Sequence, residues 1–432
     1  MKSKLNTDYK IFWLGQAVSQ LGSSMTSLAL TFWSYQQTNS AMAVSFMSFC
    51  NYLPYILVSM FGGTFIDRAS KKKILIVSDT IAAICTISIL FSLFRGSLAL
   101  TQIYVVNAVI GFMNAFQSPA SAVVTGQLIT DGNYEKASGL NSFSSNLIMV
   151  TAPVLSGTLV GFFGIRLVLA IDLLTFTFCM ITLFLVNPKE NPGTSKTHHT
   201  HAGRKNREHI EFLKKEPGVL YLMLSLALIN FFSRLTYENI LNPMILARSG
   251  GNAGVFGLVN SMMGAGGIIG GIMVASGKKT KSPRKMIYFS AGISFLLGDL
   301  TMGAGRNVFA WSAAGIFASL PIPFIMAGQN ALLYRTVPEN IQGRIFAIRN
   351  GIQYSTVPIG LLLGGYLADY VFEPFLASDY TAAVFLQSIV GKGTGSGMAV
   401  MFLCTGLLGA LSSVLGYKNR SIRNLTDPAK LK

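Results

Sequence analysis

The groups with the most chemical leverage in this chain are ionisable side chains stranded in apolar surroundings. Arg234 and Glu238 stand four residues apart inside the apolar run 219–241. That spacing puts both on one face of a helix, where they can close an ion pair. Asp172 lies in the run 167–186 and Asp299 in the run 286–304. A charge in hydrocarbon is costly, so such a group faces a partner or a water-filled cavity. The chemistry open to these acids is reversible binding of a proton or a cation. Catalysis is not expected, because none of the four histidines lies in an apolar run and the isolated acids have no evident nucleophile beside them.

A second constellation occupies residues 62–73, which read Gly62-Gly-Thr-Phe-Ile-Asp67-Arg68-Ala-Ser-Lys71-Lys72-Lys73. Gly63 allows two helices to approach closely. Asp67, at the end of one helix, can pair with a basic residue or accept hydrogen bonds from a helix start. A contact of that kind can form in one state and break in another. The other candidate patterns are weak. His198, His199 and His201 lie in a polar stretch that fixes no geometry, and no metal site is expected there. Cys50, Cys85, Cys179 and Cys404 each sit in an apolar run without a CxxC pattern, so neither a disulfide framework nor zinc is indicated. No G-x-x-x-x-G-K-[ST] loop occurs, which excludes an ATP-driven pump within this chain. No cofactor is expected.

The elements that position these groups follow from composition. Of 432 residues, 51% are hydrophobic and 12% charged. Mean hydropathy is +0.50. Soluble domains carry about 25% charged residues. The apolar residues form runs long enough to cross a bilayer, for which about 20 residues are needed. Twelve are read: 11–35, 44–61, 74–94, 98–116, 139–163 and 167–186, then 219–241, 255–277, 286–304, 308–333, 345–371 and 399–417. The last is the least defined, since 382–390 is also apolar and is separated from it by Gly391-Lys-Gly-Thr-Gly395. Asp79, five residues into the third run, is expected near the cytoplasmic interface, and Asp369 near the outer one. The first ten residues are polar and lead straight into a full span, so no cleavable leader is expected.

The net charge of +17 does not indicate nucleic acid, because the basic residues flank the spans. With the N-terminus inside, 28 of the 34 Lys and Arg residues fall on cytoplasmic segments and five on outer ones, with Arg234 inside a span. Arg335, Arg344 and Arg349 are counted in the loop between spans 10 and 11. This asymmetry predicts an even number of spans with both termini cytoplasmic. The polar stretch centred on residues 188–217 divides the chain into bundles 1–187 and 218–432. Thr151-Ala-Pro153 recurs as Thr356-Val-Pro358, Gly139 as Gly343 and Gly63 as Gly271, at nearly one offset. That pattern predicts two pseudo-symmetric six-helix halves in an all-α membrane protein, an architecture built for alternating access.

Residues 62–73 resemble the G-x-x-x-D-[RK]-x-G-[RK]-[RK] motif of the major facilitator superfamily, with Ser70 in place of the usual glycine. Gly15-Gln-Ala-Val-Ser19, Leu53-Pro-Tyr55, Ala170-Ile-Asp172, Gly343-Arg-Ile-Phe346 and Pro358-Ile-Gly-Leu361 narrow the resemblance to macrolide-efflux carriers of Gram-positive bacteria. The similarity runs almost end to end. It implies a twelve-helix carrier in the cell membrane that exports small amphipathic compounds by proton antiport, working as a monomer in the lipid bilayer. It makes Gly63, Asp67, Arg68, Lys71 and Lys72 a gating motif. It places spans 1, 4, 7 and 10 around a central cavity, lined by Gln16, Gln20, Asn107, Phe112, Asn230, Phe231, Tyr237, Gln329 and Asn330. Within that frame Glu238 is the first candidate for the coupling acid, with Arg234, Asp172 and Asp299 beside it. Two departures bear on coupling: span 4 has no arginine, and Ala152 precedes Pro153 where proton antiporters tend to have glycine. A carrier of the same fold for one physiological substrate, such as a siderophore or a lysophospholipid, remains the alternative.

Overall fold

The computed structural model describes residues 7–61, 70–129, 134–186, 208–276 and 282–425, and no strand occurs among them. Six long helices come first: α1 Thr7–Thr38, α2 Ala41–Phe61, α3 Lys71–Phe94, α4 Leu100–Leu128, α5 Tyr134–Phe163 and α6 Ile165–Leu185. The short α7, Glu208–Lys215, precedes the second series. There α8 (Pro217–Thr236) and α9 (Leu241–Arg248) make span 7, and α10 (Ala253–Ser276) makes span 8. Span 9 is α11 (Pro283–Ile293), a π-turn at Ser294–Asp299, and α12 (Leu300–Ala304). Span 10 is α13 (Val308–Ser319) and α14 (Ile322–Thr336), broken at Pro321. Span 11 is α15 (Glu339–Leu367), a second π-turn at Ala368–Phe372, and α16 (Glu373–Leu376). Then follow α17 (Thr381–Val390), α18 (Ser396–Lys418) as span 12, and α19 (Arg420–Asn424).

Ten of these segments are long and apolar enough to cross a bilayer. At 32 and 29 residues, α1 and α4 also have the reach and bring the number to twelve. They are less apolar because they carry Gln16, Ser19, Gln20, Asn107, Asn114 and Gln117. Large apolar side chains point outward along the spans, with Phe162 80% and Phe309 82% exposed. Lipid, not water, is the solvent that such surfaces require.

Two compact units emerge. One holds the described residues of Met1–Asn39, Phe46–Thr197 and Asn252–Ser261; the other holds those of Ser40–Ser45, His198–Gly251 and Met262–Lys432. Within the first, α1 packs on α5 and α6, and α3 on α4 and α6. Within the second, α8 packs on α15 and α18, and α11 on α14 and α18. In order of spans these are the same four pairings, 1 with 5 and 6 and 3 with 4 and 6, so the internal repeat seen in the sequence is also a repeat of packing.

Several boundaries differ from the apolar runs. The run for span 4 ends at Phe116, yet α4 continues to Leu128, because Ala120, Val124 and Leu128 recur every fourth residue and are buried. The apolar stretch before span 12 is a separate helix, α17. Gly391, Gly393 and Gly395 all take positive φ, which keeps α17 from joining α18. Arg344 and Arg349 lie within α15 and not in a loop, since that helix already starts at Glu339.

The basic residues that the charge asymmetry predicts on the outer side are used structurally. Arg166 donates to the carbonyl of Leu93 at 3.0 Å, one residue from the end of α3. Arg306 donates to Ser388 and Ile389 carbonyls at 2.5 and 3.1 Å, and Arg248 donates to Val390. The last carbonyls of α17 therefore receive two cations, at the end of a helix where positive charge is favourable. At the other end of that loop, Glu373 accepts from the N–H groups of Gly395 and Met398 at 3.2 and 3.0 Å and caps α18.

Candidate functional site

Gly63, Asp67 and Arg68 of the expected gating motif lie outside the described residues. Lys71 and Lys72 open α3. Lys72 Nζ donates to the carbonyl of Val186 at 2.6 Å and lies 3.4 Å from that of Phe184, so the ammonium closes the C-terminal end of α6. This ties the start of span 3 to the end of span 6 by charge and hydrogen bonding together.

Arg234 and Glu238 form the expected ion pair, with side chains 26% and 34% exposed. Arg234 belongs to the last turn of α8, and Glu238 stands in the turn that follows, before α9. The interruption fits the chain around it: Asn239 at the same turn donates its side-chain amide to the carbonyl of Leu361 at 2.7 Å, and a Cβ at Gly360 would come 2.9 Å from Cβ of Arg234. Span 11 thus passes close behind the pair.

The buried acids each have hydroxyl or amide partners. Asp172 on α6 is 7% exposed and accepts from Ser23 on α1 and Thr86 on α3, both at 3.3 Å. Asp299, the last residue of the first π-turn, is 0% exposed and accepts from Thr405 on α18 at 2.8 Å. Asp79 does not reach the interface: it is 5% exposed, accepts from Gln117 on α4 at 2.5 Å, and lies 3.9 Å from Cys179 Sγ on α6. Its position five residues into the span suggested solvent, but α4 and α6 cover it. Asp369 stands in the second π-turn, where one oxygen accepts from Ala41 N–H at 3.0 Å and the other from Met42 N–H and the Ser40 hydroxyl at 2.9 and 2.5 Å. It caps the first turn of α2.

The predicted lining residues divide by behaviour. Gln16 is half-buried and donates to Cys179 Sγ at 3.2 Å, which joins it to the Asp79 cluster. Gln20 and Phe112 are exposed, and Phe112 meets Phe116 edge-on at 5.3 Å. Asn107 and Asn230 donate back to carbonyls one turn earlier, Ile103 and Leu226, at 2.9 Å. Phe231 meets Phe232 at 5.8 Å, and Tyr237 meets Phe402 edge-on at 5.2 Å. Gln329 is 6% exposed with its amide nitrogen unpartnered, and Asn330 accepts from Arg349 at 2.9 Å. Arg349, whose guanidinium also lies 4.8 Å from the Phe346 ring, was placed in a loop by the sequence; its place inside α15 makes it a polar group of the span 10–span 11 contact. A cleft of about 440 Å³ between α3 and α4 is lined by Ile84, Cys85, Ser88, Gln102 and four further residues, none of them a predicted lining residue.

Comparison with known proteins bears on what this arrangement serves. The model of the Major Facilitator Superfamily matches residues 12–298. Macrolide efflux protein A of Streptococcus pyogenes is 25% identical over 363 residues, covering 83% of this chain and 89% of the relative. The protein of that name from Enterococcus faecalis is 24% identical over 326 residues, or 74% and 99% of the two chains. The multidrug efflux pump Tap of Mycolicibacterium fortuitum is 20% identical over 378 residues, or 81% and 86%. Among solved structures, a bacterial homologue of the iron transporter ferroportin in an inward-facing state gives a TM-score of 0.69 at 16% identity, covering 96% of this chain and 100% of that one. The nucleoside transporter NupG gives 0.64 at 11% identity, with 96% and 100% coverage. At such identities the structures speak for the fold alone.

Proposed function

We propose, because this chain belongs to the major facilitator superfamily, that it is a secondary active transporter exporting amphipathic small molecules of the drug or macrolide type by proton antiport. The observation that carries the reading is the similarity to Macrolide efflux protein A across 83% of the chain. Two bundles, 1–187 and 218–432, joined by a cytoplasmic linker at 188–217, would rock around a midplane site lined by the polar and aromatic residues of spans 1, 4, 7 and 10. The motif at Gly63, Asp67, Arg68, Lys71 and Lys72 would latch one state. The protein works in the cell membrane as a monomer with both termini cytoplasmic.

One positive charge crossing 100 mV releases about 2.3 kcal/mol, enough for about a fiftyfold gradient of a neutral substrate. A carrier uses that energy only if an ion and the substrate bias the same conformational equilibrium in opposite senses. Glu238 is the first candidate for the acid: it is partly exposed, it stands in a span, and it is ion-paired with Arg234.

The test is accumulation of radiolabelled erythromycin and of a cationic dye in cells producing the protein, with and without a protonophore. Energy-dependent export that the protonophore collapses, and that Glu238→Gln abolishes, is expected. Export that survives the protonophore removes proton coupling. Failure to export any such compound, with the protein correctly inserted, redirects the reading to a carrier of one physiological substrate such as a siderophore or lysophospholipid.

A further inference from the structure

Among the described residues, each half of the chain carries a buried acid–hydroxyl cluster, built on equivalent spans. In the first, Asp172 on span 6 receives Ser23 of span 1 and Thr86 of span 3. In the second, Asp299 on span 9 receives Thr405 of span 12, and Tyr237 of span 7 lies against it. Acid and threonine have exchanged helices between the two: threonine on 3 and acid on 6, then acid on 9 and threonine on 12. The separations Ser23 to Tyr237 and Thr86 to Asp299 are 214 and 213 residues, so the third member keeps register with the repeat.

Two observations set the second cluster apart, and a third, the lack of a neutralising cation, it shares with the first. Both carboxyl oxygens of Asp172 are hydrogen-bonded from neighbouring helices, whereas Oδ1 of Asp299 makes no well-formed hydrogen bond and has only the Tyr237 hydroxyl within reach, itself without another partner. A buried polar atom left unmet costs about 1–3 kcal/mol. Asp299 also closes a π-turn, a backbone irregularity that recurs at functional positions. Finally, no cation neutralises it. Span 7 presents Tyr237 and span 12 presents Thr405, while α11, α12 and α13 bring no charged side chain to it among the described residues. Gly406 keeps span 12 close, since a Cβ there would stand 3.1 Å from Cβ of Asp299.

We propose that Asp299, together with Thr405 and Tyr237, is the site that holds the coupled proton inside the carrier, with Glu238, one residue beyond Tyr237, as the exposed acid through which that proton enters and leaves. This rests on the antiport reading above. An ionised carboxylate at a fully buried position needs a counter-charge that the cluster lacks. The neutral acid needs only what is there. Thr405 donates to Oδ2, and an O–H on Oδ1 finds the Tyr237 oxygen. Uptake adds one proton to Oδ1, forming one O–H bond and removing one negative charge; release reverses both. Glu238 follows Tyr237 directly, so the partly exposed ion pair and the buried acid share one turn of chain. The Asp172 cluster, fully hydrogen-bonded, is the internal control.

Two readouts test this on the purified full-length protein. The first is infrared difference spectroscopy against pH, which needs no substrate. A carbonyl band of a protonated carboxylic acid is expected in the wild type, lost in Asp299→Asn, kept in Asp172→Asn, and shifted upward in Thr405→Val, where the carboxyl loses a donor. A band that persists in Asp299→Asn overturns the proposal. The second is transport of radiolabelled erythromycin in proteoliposomes. Asp299→Asn should lose accumulation driven by a pH gradient and keep exchange of erythromycin at equilibrium, which also shows that the variant folds. Retention of pH-driven accumulation overturns the proposal. A wild type that shows the Asp299 band but no pH-driven accumulation of erythromycin or ethidium removes the antiport reading while the protonatable site stands.

Discussion

At the scale of single residues, the cost of burying a carboxyl sets what surrounds it. Asp79 is 5% exposed, and its partner Gln117 comes from α4, 38 residues on. Cys179 and Gln16 extend the cluster to α6 and α1. Removing the amide while leaving the acid strands a buried acceptor, which costs about 1–3 kcal/mol, whereas removing both partners together is close to neutral. Gln117→Leu should therefore lower the thermal unfolding temperature of the purified protein, and the double variant Asp79→Leu/Gln117→Leu should recover most of the loss. Equal instability of single and double variants would mean that Asp79 takes its support elsewhere. The same reasoning separates Asp172, with both oxygens met, from Asp299, with one unmet: two acids that look alike in sequence are different in demand.

At the scale of elements, close approach decides which helices pair. Gly15 and Gly22 lie seven residues apart on α1, and a Cβ on them would come 1.9 Å from Thr182 Oγ1 and 2.2 Å from Thr175 Oγ1, seven residues apart on α6. Small residues at a helix crossing replace the hydrophobic drive that lipid does not supply. Gly15→Ala should overpack this contact, at a cost of about 1–3 kcal/mol read as a lower unfolding temperature. Thr182→Ala in the same chain should restore part of it, and a variant pair no better than Gly15→Ala alone would place the strain elsewhere. The existence of these helices was legible in the sequence, because runs of 20 apolar residues have few other uses. Their rotation was not. Spans that are apolar nearly all round carry no strong periodicity, so nothing in the pattern says which face of α4 meets Asp79 or which face of α18 offers Thr405 to Asp299. The two π-turns were equally invisible, since Ala368–Phe372 contains no proline or glycine and a single Gly298 in Ser294–Asp299 does not distinguish a π-turn from a tolerated helical glycine. The intramembrane acids could be named from their cost alone; their partners, Thr86 and Thr405 among them, are ordinary residues made significant only by tertiary contact.

At the scale of the whole molecule, the distribution of charge makes the strongest claim. Counted by the order of the spans, the basic residues on one side of the membrane outnumber those on the other 28 to five. The few on the minority side are mostly engaged: Arg166 on the carbonyl end of α3, Arg248 and Arg306 on that of α17. A cation recruited to close a helix is retained for its hydrogen bonds, and its place on the minority side does not weaken the orientation signal carried by the larger set of lysine and arginine residues on the other. This leads to a direct prediction of topology. Lys285, exposed at the start of span 9, and Lys392, exposed between α17 and α18, must lie on opposite faces of the membrane, because one span-9-to-span-11 passage, three crossings, separates them. With Cys50, Cys85, Cys179 and Cys404 replaced, a cysteine at 392 should react with a membrane-impermeant maleimide in intact cells. A cysteine at 285 should react only after permeabilisation. The converse pattern would invert the molecule and reverse the sense in which the proton gradient drives it. Labelling of both sites in intact cells would break the twelve-span count itself, since an odd number of crossings between these positions is required by the helices on either side of Asp299.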